Sequence, residues 1–162
     1  MLRTGKPRLV AAPLFIPIAL ISFALSALIS SDRTCASEEQ SVVVIGKRSW
    51  TTQTNGAYLR WRDAVDFCAT LRLGGYEDWR LPTLAELESL YSPDTQTGIR
   101  SPIRLGGCCL WSDTSLEERP AADDEIAGRA RFYRWGFMYD GGHSYYAGPY
   151  FEDGEALCTR EN

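Results

Sequence analysis

Gly74-Gly75-Tyr76-Glu77-Asp78-Trp79-Arg80-Leu81-Pro82-Thr83 decides the fold, because a turn, a core-type aromatic and a helix start are compressed into one short run. The glycine pair tolerates positive φ, and Pro82 biases Leu81 away from the helical region. Thr83 with Glu86 three positions on makes a capping box, so a helix starts at Thr83. Upstream, Ala64, Phe67, Cys68 and Leu71 share one face at helical spacing, while Arg62, Asp63, Asp66 and Thr70 fall largely on the other. Two short helices joined by a turn centred on Asp78-Trp79-Arg80 are therefore predicted. Trp79 reads as core, as does Trp111, and Arg80 as the partner of a nearby carboxylate or carbonyl rather than an anion site.

Beyond the second helix, Ser92 to Gly107 is rich in Ser, Pro, Asp, Thr and Gly and reads as a long loop. Leu110-Trp111-Ser112 is a short strand. Ser115 to Gly128 is a second loop, an acidic one holding Glu117, Glu118, Asp123, Asp124 and Glu125. From Arg131 to Tyr139 the residues alternate with a period of two, which predicts a strand. Asp140-Gly141-Gly142-His143 is its turn and Ser144 to Phe151 its hairpin partner. Glu155 to Arg160 is the final strand, carrying Cys158 inward. Trp135 and Phe137 read as core. Tyr139, His143, Tyr145 and Tyr146 cluster in sequence around the turn and combine flat faces with hydrogen-bonding tips, so they are the candidate ligand contacts. No Ser or Cys nucleophile stands near His143 in an evident constellation, and no catalytic residue is assigned.

Arg3, Lys6 and Arg8 precede an uncharged run of 22 residues from Leu9 to Ser30, the asymmetry of an export signal. Thr34-Cys35-Ala36 suits cleavage before Ser37; Asp32-Arg33-Thr34 is unlike the run preceding a lipidated cysteine. The run is long enough to span a bilayer, so a retained inner-membrane anchor at 9–30 is the alternative, weakened by Pro13 and Pro17. The chain thus divides into a signal segment 1–36, a lead-in 37–48 and one domain 49–162, exported to the periplasm, the medium or the cell surface. Cleavage removes Cys35 and leaves Cys68, Cys108, Cys109 and Cys158, an even set that in an exported domain reads as disulfides with three pairings open. It also leaves 13 Lys and Arg against 20 Asp and Glu, a net charge of −7. That balance disfavours nucleic acid and sulfated polysaccharide, except at a local patch such as Arg129, Arg131 and Arg134. One histidine and no CxxC argue against zinc. Asp123-Asp124-Glu125 lacks the spacing of a calcium loop, so no cofactor is assigned and calcium has no sequence support.

Taken together, Ser49-Trp50-Thr51-Thr52, Asn55-Gly56, Trp61-Arg62-Asp63-Ala64, Phe67-Cys68, the Asp78-to-Thr83 core with Glu86-Leu87, Leu110-Trp111-Ser112 and Ala156-Leu157-Cys158-Thr159-Arg160 resemble one bacterial family. These are the domains similar to the C-terminal domain of the collagen-like adhesin Lcl. The resemblance implies an α+β, C-type-lectin-like fold, with two short helices flanking a small antiparallel sheet with long loops. It also implies a Cys68–Cys158 disulfide. Cys108 and Cys109 are then left to each other, with a vicinal disulfide, a free pair and an intermolecular bond all open. Trp61, Asp78, Trp79, Arg80, Pro82, Thr83, Glu86 and Trp111 are expected to be framework. The expected function is an exported, non-catalytic binding or adhesion-type module for a carbohydrate or protein ligand at the cell envelope. Nucleic acid is not an expected partner, and a membrane is one only if the N-terminal segment is retained. The alternative is an enzyme using cysteine chemistry on a fold like that of formylglycine-generating proteins.

Overall fold

The computed structural model describes residues 41–121 and 124–162; the segment 1–36 with Cys35, and Asp123, lie outside them. The described elements run β1 (Val42–Ile45), β2 (Arg48–Thr51), β3 (Leu59–Arg60), α1 (Trp61–Thr70), α2 (Leu84–Ser89), β4 (Cys109–Ser115), a 3₁₀ helix (Asp124–Phe132), β5 (Arg134–Met138), β6 (His143–Ala147), β7 (Glu152–Gly154) and β8 (Thr159–Glu161). The class is α+β, as the sequence indicates. The strands differ from a single small sheet: they form three antiparallel ones, β1-β2-β8, β3-β7 and β4-β5-β6.

The division has a backbone cause in residues 155–158. Glu155 donates its N–H to the Cys109 carbonyl and accepts from Trp111, Ala156 accepts from Asn55, and the Cys158 carbonyl accepts from Thr51. These groups serve two different sheets, so they cannot continue one ladder, and the final strand shrinks to Thr159–Glu161. Similarly, the Tyr133 N–H turns back to the Ala130 carbonyl, closing the 3₁₀ helix and delaying β5 to Arg134 although alternation begins at Arg131. Its partner β6 stops at Ala147, two residues before Pro149, which has no N–H to extend the pairing. The lead-in 37–48 is not merely a tether: β1 within it pairs with β2, Val43 opposite Trp50.

The helical segment follows its sequence closely. Gly74 and Gly75 take φ of +64° and +81°. Thr83 Oγ1 accepts from the Glu86 N–H at 3.3 Å, and the Glu86 carboxylate accepts from the Thr83 N–H at 2.8 Å, completing the capping box. Glu86 also receives both terminal nitrogens of Arg80, at 2.9 and 2.8 Å, and Arg48 Nε from β2 at 2.6 Å. Asp78 accepts from Arg160 Nε at 2.7 Å, and the Arg80 backbone pairs with Thr159 in both directions. The turn is thereby fastened to β8 and β2.

Two apolar clusters fill the interior. One joins α2 to the β4-β5-β6 sheet through Leu84, Leu87, Leu90, Leu110, Trp135, Phe137 and Tyr139, with Trp50 of β2. The other packs Ala64 and Cys68 of α1 against Trp79, Leu81, Trp111, Ala156 and Cys158. The Cys68–Cys158 disulfide closes inside it, with both cysteines fully buried. Trp79, Trp111 and Pro82 are buried; Trp61 is half-buried, its indole N–H donating to the Ser112 carbonyl at 3.0 Å.

Candidate functional site

The four tyrosine and histidine positions around the hairpin do not assemble into one surface. Tyr139 is a correction: it is 1% exposed, wedged edge-on against Phe137, and its hydroxyl donates to the Leu87 carbonyl at 2.7 Å. The strand needs one face for the core, and Tyr139 is on it. Tyr145 and Tyr146 are successive strand residues and point to opposite faces. Tyr145 enters the space above side-chain-less Gly136, leans on Trp111, and donates to the Asp153 carbonyl at 2.9 Å. Tyr146 packs edge-on between Tyr133 and Trp135. Burial pushes the Tyr139 and Tyr145 phenols above the ordinary range, with the Asp153 charge adding to the effect at Tyr145. His143 alone of the four stands exposed at the turn.

A different concavity is assembled from three segments distant in sequence. Arg60, Trp61, Arg62 and Asp63 at the start of α1, Arg131, Phe132 and Arg134 at the end of the 3₁₀ helix and start of β5, and Pro149 and Tyr150 after β6 line a cleft of about 400 Å³. Four arginines and one carboxylate, Asp63, are among its lining residues. The Arg134 guanidinium lies 4.2 Å from the centre of the Trp61 ring, and Arg131 lies 4.7 Å from that of Phe132. Arg134 Nη1 donates to the carbonyls of Arg131 and Tyr133 at 2.7 and 3.1 Å, while its Nε is enclosed without a hydrogen-bond partner. Arg60 reaches Glu152 at 3.5 Å, both ends well exposed, a pairing weak enough to exchange for a ligand. The α1 N-terminus opens here without a side-chain cap, so its first N–H groups add a positive end to the cleft.

Two rings of this site stand in water: Tyr150 is 84% exposed and Phe132 50%. The sequence places Trp61 in the framework and Arg62 on a solvated helix face, and it puts Arg131 in a polyanion patch with Arg129 and Arg134. The structure brings Arg131 and Arg134 to Arg60 and Arg62. The only local signal was the cation–aromatic–cation run Arg60-Trp61-Arg62, which composition alone does not separate from a helix start.

Among the described residues, no three His, Cys, Asp or Glu side chains approach closely enough to hold a metal ion, and no helix is long and apolar enough to cross a membrane. The sulfurs of Cys108 and Cys109 lie within disulfide distance of each other, the vicinal arrangement among the three open states.

The fold and site define a small α+β domain, pinned by a buried disulfide, with a cationic and aromatic cleft at one helix start. Residues 46–159 match the Lcl C-terminal domain family, and the chain belongs to that family. No curated protein matches the chain, and no solved structure does.

Proposed function

We propose that this is an exported, non-catalytic binding module of adhesion type at the cell envelope, with a C-type-lectin-like scaffold, and that its ligand is a carbohydrate bearing acidic groups. The observation that carries the reading is the cleft: four arginines and an uncapped helix start for anionic groups, with Trp61, Phe132 and Tyr150 as flat faces for sugar rings. Geometry thus favours the arginine patch over the hairpin end. The net charge of −7 outside the signal segment leaves attraction to local patches such as this one, which suits a short acidic stretch of glycan better than a long polyanion such as nucleic acid. Arginine and ring donors hold ligands; they supply no nucleophile. The enzyme alternative needs thiols set across a cleft, and Cys108 and Cys109 are consecutive, with their sulfurs at disulfide distance.

The test is a glycan array probed with the mature domain, followed by affinity measurements on the hits. Binding to uronate- or sulfate-bearing glycans should exceed binding to their neutral counterparts, weaken steeply as salt rises, and be lost in Arg62→Ala/Arg131→Ala, whose side chains are exposed. Retention of binding in that double variant, or its loss in His143→Ala, would return the site to the hairpin end.

A further inference from the structure

We propose that Cys108 and Cys109 form a thiol-exchange site: a surface disulfide opened by an external thiol while Cys68–Cys158 stays closed. The two bonds occupy opposite environments. Cys68 and Cys158 are both 0% exposed, enclosed with Trp79 and Trp111, so a thiolate reaches their sulfurs only if the domain opens. Cys108 is half-buried at the outer end of β4, after the Gly106-Gly107 turn. Its Sγ lies 3.5 Å from the hydroxyl of Tyr58, a ring 47% exposed. Cys109, at 5%, is shielded, which makes Cys108 the sulfur open to attack.

The fold does not depend on this bond. Cys68–Cys158 spans 90 residues, and releasing it restores a large chain entropy to the unfolded state. Cys108–Cys109 spans one and constrains almost none. Hydrogen bonds hold the pair's backbone independently of the sulfurs: the Cys108 carbonyl accepts from Tyr139 at 2.9 Å, and the Cys109 carbonyl from Glu155 at 2.8 Å. Opening the bond therefore leaves β4 in its sheet, with the consecutive thiols poised to close again.

The co-reactant is a low-molecular-weight thiol or an exported dithiol. Its thiolate attacks Cys108 Sγ, a new S–S bond forms, the Sγ–Sγ bond breaks, and Cys109 leaves as a thiolate that takes a proton. A second thiol resolves the mixed disulfide, so two thiols are oxidised to one disulfide and the protein gains two electrons and two protons. A disulfide co-reactant runs the steps in reverse.

The experiment uses the folded chain with pre-existing thiols, Cys35 included, capped by N-ethylmaleimide. It is then exposed to increasing reduced glutathione, quenched with iodoacetamide and mapped by peptide mass. Cys108 and Cys109 should become alkylated or glutathionylated at concentrations that leave the Cys68–Cys158 peptide intact, with far-ultraviolet circular dichroism and the urea unfolding midpoint unchanged. In a second arm, Cys109→Ser should take up one glutathione from glutathione disulfide at Cys108, whereas Cys108→Ser should stay unmodified at Cys109. Simultaneous opening of both bonds, prior opening of Cys68–Cys158, or reaction of Cys108 and Cys109 only in urea would overturn the proposal; equal uptake in the two variants would overturn the choice of Cys108.

Discussion

Glu86→Gln tests whether one carboxylate ties the turn, the second helix and β2 together. Glutamine can still accept from the Thr83 N–H, so the substitution removes charge while sparing the box; Arg80 and Arg48 then lose their anion. A hydrogen bond between charged groups contributes about 1.5 to 3 kcal/mol in favourable settings. The Arg80 and Arg48 side chains are 39% and 27% exposed, however, and water screens what they lose. The expected destabilisation at neutral pH is about 1 to 2 kcal/mol, and Glu86→Ala, which also breaks the box, should cost about 1 more. The pH dependence separates this from a packing defect. Burial raises the Glu86 pKa, but the Arg80 hydrogen bonds, the Thr83 N–H and the charges of Arg80 and Arg48 outweigh it, leaving the folded value below the ordinary 4.5. A depressed native carboxyl contributes stability that is complete above the unfolded pKa and disappears as pH falls through the folded one. Urea unfolding with disulfides intact, measured at pH ~7 and at steps down to pH ~3, should therefore show wild type and Glu86→Gln converging on acidification. A gap of constant size across that range, or no gap at neutral pH, would refute the reasoning.

The remaining expectations concern the interior. Replacing Cys68 and Cys158 together by Ala should cost about 4 to 5 kcal/mol by the chain-entropy estimate for a closed loop of 90 residues, read as a lowered denaturation midpoint; an unchanged midpoint would contradict it. Tyr139→Phe leaves the buried Leu87 carbonyl without its hydroxyl donor and should lower stability by about 1 kcal/mol, with glycan affinity unaltered. Trp79→Ala should cost roughly 3 to 5 kcal/mol by emptying the centre of the α1 cluster, without selective loss of ligand contacts in the protein that still folds.

What the sequence determined by itself was local chemistry repeated at fixed spacing. A threonine three residues before a glutamate, two glycines after an amphipathic run, and alternation around Trp135 and Phe137 each act within a few residues, so the capping box, the turn and the β5-β6 hairpin were legible without a fold. Family resemblance added the Cys68–Cys158 pairing, which no local rule supplies. The tertiary structure decided everything that depended on which segments share a backbone partner or a face. Residues 155–158 look like one strand until their N–H and C=O groups are shared between two sheets. Tyr139 looks like a ligand contact beside the turn until the hairpin's inner face is covered by α2. The cleft was least legible of all, because Arg60, Arg62, Arg131, Arg134 and Tyr150 come from three segments whose convergence is set by β3-β7 pairing and by the 3₁₀ helix closing before β5. Its arginines belong to no motif, and only their shared position gives them a common field.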